Sequence, residues 1–302
     1  MKIRASLFAA AVLAVLTYTS CQKEISFEVN GNPNVDTTGT GGSNGGFNGD
    51  LLTRSDLSAV PASNANKASV FYDFDASKRL IQMKTTGTLN GIPTYAYKYY
   101  HRDAEGLITL IRINDGDSPD DSTFVKVFRN ASKQLKYLLV YDEPAMIYPN
   151  DSIAVSYTGS LLKERACYSY LLGTPDTPEP LWKEVATWNN NAISRMNISI
   201  SWDDATQQWG QQAQLNYEYD NKKQPYDRTL DDVLCDHEML EGGYSVNNLV
   251  KATLQQQVGF PTVPYLNFTM KYGTNNRPSE YSLLFSPPGI DAATAKTVFF
   301  YR

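Results

Sequence analysis

Histidine, cysteine and positive charge are all scarce in this 302-residue chain, which has two His, three Cys, and 27 Lys and Arg against 32 Asp and Glu. The acidic balance, −5 at pH 7, disfavours a nucleic-acid partner, because binding a phosphate backbone calls for a concentrated basic face. His101 and His237 form none of the close ligand spacings that a zinc site uses, so no cofactor is expected. Beyond the N-terminus there is no run of 18 or more apolar residues, which excludes a membrane-spanning helix.

The N-terminal segment MKIRASLFAAAVLAVLTYTSCQKE has the order of an export signal. Lys2 and Arg4 supply the positive start, Ser6 to Leu16 an apolar stretch too short to span a bilayer, and Thr19-Ser20 lead into Cys21. That order resembles a lipobox, so residues 1–20 are read as a lipoprotein signal peptide and Cys21 as the lipidated first residue. Cleavage takes the net charge from −5 to −7. Residues 21–50 are rich in Gly, Asn, Thr and Ser and form a flexible tether, with a mean reach on the order of 30 Å. The expected place is the outer membrane, lipid-anchored on its periplasmic face or at the cell surface.

Residues 51–302 read as one β-rich domain. Aromatic residues alternate along short segments that run into polar turns, as in Phe71–Phe74 through Ala76–Lys78, Tyr97–Tyr100 through His101–Gly106, and Phe124–Phe128 through Arg129–Lys133. Met196, Ile198 and Ile200 alternate with Asn197, Ser199 and Ser201, and Leu266, Phe268, Met270 and Tyr272 with Asn267, Thr269 and Lys271. One buried face and one wet face is an antiparallel signature. The fold class is therefore mainly β: consecutive antiparallel hairpins forming a curled or barrel-like sheet, with one helix packed on it, expected over 230–241. Residues 173–191, interrupted by Pro, Gly and Asn, are expected to be a loop or insertion.

Several segments resemble those of uncharacterised Bacteroidota lipoproteins whose bodies are built from hairpins similar to YD repeats. They are Asn216-Tyr-Glu-Tyr-Asp220 with Asn221 to Tyr226, Asn247-Asn248 after the helical segment, and Lys271-Tyr272 with Asn275-Asn276-Arg277-Pro278. Cys21-Gln-Lys-Glu24 also resembles export signals of that phylum. The resemblance implies a surface-directed lipoprotein and no known activity.

Candidate chemistry is thin. Asp115, Asp117, Asp120 and Asp121 form the densest acidic cluster, a weak calcium candidate whose spacing does not match an EF-hand. Asp73 with Asp75, and Glu218 with Asp220, are strand-spaced carboxylate pairs of the kind a glycoside hydrolase needs, yet both run into turns. Cys167 and Cys235 are candidates for a disulfide in an oxidising compartment. Trp182, Trp188 and Trp209 are candidates for a ligand platform, with Trp202 expected in the core. No catalytic residue is assigned. The sequence favours a non-catalytic envelope lipoprotein that binds or scaffolds, then a glycan-binding accessory protein using the Trp loops, then a hydrolase. The partners expected are the membrane through the lipid, and a glycan or an envelope protein.

Overall fold

The computed structural model describes residues 50–302 apart from 62–64, 90–91, 115–121, 174–176, 241, 258, 287 and 290. Sixteen strands follow in chain order: β1 (Leu52–Val60), β2 (Lys67–Phe74), β3 (Leu80–Leu89), β4 (Ile92–Arg102), β5 (Ile108–Asn114), β6 (Ser122–Arg129), β7 (Leu135–Tyr141) and β8 (Asp151–Thr158). The second half holds β9 (Leu161–Ser169), β10 (Glu179–Asn189), β11 (Ala192–Asp203), β12 (Gln208–Lys223), β13 (Asn247–Gln255), β14 (Val263–Tyr272), β15 (Pro278–Phe285) and β16 (Ala293–Tyr301). Each strand pairs antiparallel with its sequence neighbours and β1 pairs with β16, so the sheet closes into a barrel and leaves no edge. The expected antiparallel hairpins are present, and the curled-sheet alternative resolves to full closure.

The pleat sorts residues between the two faces of the wall. Ile198 opposes Glu184, which opposes Arg165, and Leu138 opposes Ile153, which opposes Cys167, all turned to the interior and all buried. Burying each large aliphatic side chain contributes about 1.5–3 kcal/mol, so the apolar set fixes which face points inward. The opposite face of β11–β14 carries Arg195, Asn197, Ser199, Gln212, Gln214, Asn216, Glu218, Lys251, Thr253, Asn267, Thr269 and Lys271. These pair across strands, as in Gln214 donating to Asn197 at 3.0 Å, Arg195 to Asn216 at 3.1 Å, and Lys251 to Glu218 at 2.7 Å.

The repeated aromatic hairpins share one turn. At Asp75, Asp103 and Asn130 a side-chain oxygen accepts from the backbone N–H groups two and four residues on: Ser77 and Arg79, Glu105 and Leu107, Ser132 and Gln134, all within 2.8–3.0 Å. The fourth residue of each turn is left-handed, namely Lys78, Gly106 and Lys133. All seven connections from an even to an odd strand lie at one end of the barrel, as do the start of β1 and the end of β16, where Leu51 and Arg302 exchange backbone hydrogen bonds. We call this the near end.

Two expectations about elements are corrected. The helix, α1, covers only Leu230–Leu234, because after the Thr229–Asp232 capping box its chain stops at Cys235 and runs on without helical bonding. The segment expected as a loop or insertion contains β10: Pro and Asn occupy its ends, while Trp182 to Val185 pair on both sides with β9 and β11 and Ala186 to Asn189 continue the pairing with β11.

Candidate functional site

The connection from β12 to β13, residues 224–246, is the one long near-end connection, and it folds inward across the barrel mouth. Tyr226 enters between Tyr72 and Phe74 of β2, with ring centroids 5.6 and 6.2 Å away. Arg102 of β4 reaches Asp232 at 3.0 Å, and Arg129 of β6 grips Asp231 with two nitrogens at 2.6 and 2.8 Å. Each arginine ends its strand just before a repeated turn, and each also caps carbonyls of the hairpin ends: Arg102 those of Leu80 and Gly106, Arg129 those of Ile108 and Lys133. One repeated hairpin geometry thus delivers two guanidinium groups to two consecutive aspartates on α1.

Further along, Lys98 of β4 pairs with Asp236 at 2.8 Å. Arg165 of β9, fully buried, donates to Glu184 of β10 and to the Glu238 carbonyl at 3.0 Å each, and to the Asp236 carbonyl at 2.5 Å. Glu184, also fully buried, accepts from the Leu240 N–H at 2.5 Å. Tyr217 of β12 donates to the Leu240 carbonyl, and the Trp188 ring of β10 lies 6.2 Å from Tyr244. Val233, Leu234, Cys235 and Leu240 join the aliphatic core of the wall. Strands from opposite sides of the barrel all reach this connection, so it plugs the near end with apolar packing and paired charge.

Asp220 and Asn248 clamp the two ends of the plug. Asp220 accepts from the Asn248 backbone at 3.1 Å and from Tyr272, while Asn248 donates to the carbonyls of Lys222 and Lys223. Arg277, only 5% exposed, donates to the Gln224 carbonyl at 2.6 Å and to Asp227 at 3.1 Å, and lies 3.4 Å from Asp50. Burial disfavours the Asp236 carboxylate, but the Lys98 ammonium and His237 outweigh it and hold its carboxyl well below the ordinary range. The His237 ring nitrogen lies 3.6 Å from Asp236, beyond hydrogen-bonding reach.

The residues singled out from sequence are dispersed. Cys167 and Cys235 are free thiols, each packed in the core, which corrects the expected bridge; burial pushes Cys167 up to about 12, so it is no nucleophile at neutral pH. Trp182 and Trp188 pack against the core instead of forming an exposed platform: Trp182 opposes Ile200 and Cys167, and the Trp188 ring N–H donates to the Leu162 carbonyl at 2.7 Å. Trp209 sits at the end of the β11–β12 hairpin against Trp202, centroids 5.1 Å apart, so Trp202 is not a core residue. Ser201, with φ +62°, breaks the alternation that placed it there.

Asp75 is held by its turn and by Arg79, Glu218 pairs with Lys251, and Asp220 belongs to the clamp, so each carboxylate pair has at least one member already engaged in the wall. Among the described residues no group of three His, Cys, Asp or Glu is placed to hold a metal. Cys21, residues 1–49, and Asp115, Asp117, Asp120 and Asp121 lie outside the described residues. The plug and its buried Arg165–Glu184 pair were missed from sequence. The only signal was the length of the β12–β13 connection against the other near-end turns.

The opposite, far end has a different character. Its eight connections hold no Lys or Arg. Large apolar side chains stand in water there: Ile147, Tyr148, Leu171, Leu172 and Phe260 are each more than half exposed.

No family model matches the chain, and no curated protein matches it. Solved structures do. A porin-like protein from Bacteroides uniformis aligns with a TM-score of 0.50 at 10% identity, over 84% of this chain and 98% of its own length. A porin-like protein from Bacteroides vulgatus aligns with a TM-score of 0.50 at 10% identity, over 83% and 98%. At that identity the likeness is one of fold: this chain shares the closed antiparallel barrel of those two proteins.

Proposed function

We propose that this chain is a lipid-tethered envelope protein whose barrel stands in water, sealed against passage, and that it serves by binding or scaffolding rather than by catalysis. The observation that carries this reading is the outer face of β11–β14. A membrane barrel turns an apolar band about 25 Å tall toward lipid, and Arg or Lys at its midplane costs roughly 2–4 kcal/mol each. Here that face carries Arg195, Lys251, Lys271, Glu218 and a row of Asn, Gln, Ser and Thr, while the aliphatic residues point inward. The plug fills the near end, where a porin of this strand number keeps an aqueous channel. Attachment then falls to Cys21 and the tether, in keeping with an outer-membrane or envelope location. The test is fractionation of cells expressing Cys21→Ala, together with planar-bilayer recording of the purified chain. We expect release of a folded barrel from the membrane fraction and no conductance steps. A Cys21→Ala chain that resists alkaline carbonate extraction, or ion conductance by the purified chain, would overturn it.

A second reading, glycan binding, is favoured by the outer face of β4–β7 rather than by the Trp loops. Tyr95, Tyr97 and Tyr99 form a ladder with centroids 4.6 and 5.6 Å apart, and Lys84, Arg112 and Lys126 lie over aromatic rings beside it. A glycan array with the wild type and a Tyr97→Ala, Tyr99→Ala double variant tests it. Binding that survives the double change removes this wall as the site.

A further inference from the structure

The far end is built as a contact surface. The strand topology places the start of β1, and with it the exit toward the N-terminal segment, at the near end, so the far rim points away from the point of attachment. Two neighbouring far-end loops, 142–150 between β7 and β8 and 170–178 between β9 and β10, are joined by a backbone bond from Tyr170 N–H to the Asn150 carbonyl at 2.8 Å. On them Ile147, Tyr148, Leu171 and Leu172 are 63%, 73%, 72% and 63% exposed. Their exposure is held in place. The Asn150 N–H donates to the Val140 carbonyl at 2.7 Å, Met146 takes a left-handed φ of 49°, and Pro144 and Pro149 restrict the first loop. Adjacent apolar side chains kept in water by a fixed backbone mark an interaction surface rather than scattered surface residues.

Charge selects the partner. Asp142 and Glu143 flank the patch, and neither loop, nor any other far-end connection, contains a Lys or Arg. An anionic leaflet repels such a rim, and helices or loops that lie on membranes carry basic residues beside their apolar ones. A second copy meeting it face to face would set acid against acid. We propose that the patch of Ile147, Tyr148, Leu171 and Leu172 docks a protein partner that presents apolar side chains set among basic ones. This deepens the binding reading above by naming the surface and the partner's chemistry, and it rests on the barrel standing in water.

The experiment uses the full chain carrying Cys21→Ala and a synthetic amphipathic helix of Lys and Leu as probe. Its Glu/Leu counterpart, mixed phosphatidylcholine/phosphatidylglycerol vesicles, and the chain's own sedimentation serve as the other arms. We expect the Lys/Leu peptide alone to bind. Tyr148→Ser with Leu172→Ser should weaken that binding at least tenfold with the melting transition unchanged, and Glu143→Gln should reduce its salt dependence. Thr269→Ala on the polar wall should change neither. Equal binding of both peptides, binding that survives the double variant, or patch-dependent vesicle binding or self-association would overturn the proposal. A soluble, folded chain that binds no peptide refutes this inference alone, whereas a Cys21→Ala chain that stays embedded in membrane refutes the water-facing barrel.

Discussion

The two ends of the barrel solve opposite problems with the same strands. At the near end, short turns whose side chains saturate their own backbone surround a long connection drawn inward by Arg102, Arg129, Lys98 and Arg165. At the far end the connections are base-free, and apolar tips are left in water. Charge that could have lined a channel is consumed in holding the plug, and apolar surface that could have been buried is displayed. On the reading proposed above, the difference teaches that strand number alone does not make a pore: what fills the lumen and which face is apolar decide it.

The comparison breaks most visibly at the buried pair. Glu184→Ala leaves the Arg165 guanidinium buried without its counter-charge and the Leu240 N–H without its acceptor, so a loss of about 3–5 kcal/mol is expected in urea unfolding. Replacing both partners, Arg165→Met with Glu184→Leu, should cost less than either single change, because no orphaned charge remains. Arg129→Ala should cost about 2 kcal/mol, since it removes the charge-assisted grip on Asp231 and two carbonyl caps.

Acid should loosen the near end selectively. The Asp236 carboxyl is held below its unfolded-state value, so its contribution is fully present above about pH 4 and is lost as pH falls through the folded-state value. Asp236→Asn should flatten the pH dependence of unfolding in that acid window. An unchanged slope would show that the Lys98 pairing contributes nothing to it. Smaller still, Gly106→Ala should cost about 1 kcal/mol: φ is +89°, and a Cβ there would displace the Arg79 guanidinium from its place 1.3 Å away. The double change Tyr148→Ser, Leu172→Ser at the far end should leave stability within about 0.5 kcal/mol, because exposed tips support nothing beneath them.

Strand alternation made much of this legible. Met196, Ile198 and Ile200 against Asn197 and Ser199 specify an inside and an outside, and the Asp75, Asp103 and Asn130 turns announce their spacing in the sequence. Closure was legible only as one of two forms, a curled or a barrel-like sheet, because pairing β1 with β16 joins residues such as Asp56 and Val298 with no local signal. The site was harder. Arg165 looks like an ordinary polar residue and Glu184 falls in the segment read as a loop, and only the wall's curvature and the returning plug bury them together. The Trp platform failed for a related reason: Trp182 and Trp188 belong to a strand whose flanking Pro and Asn disguised it as a loop, and the strand turns both rings toward the core.

The central claim, that the outer wall faces water, is tested most directly by labels placed on it. Thr269→Cys and Gln212→Cys give exposed thiols on that wall, while the native Cys167 and Cys235 are buried. A bimane fluorophore at either position, read in membranes holding the lipidated protein, is predicted to be quenched by aqueous iodide and not by spin-labelled lipid. Quenching by the lipid label, with protection from iodide, would contradict the account and place the barrel wall in the bilayer.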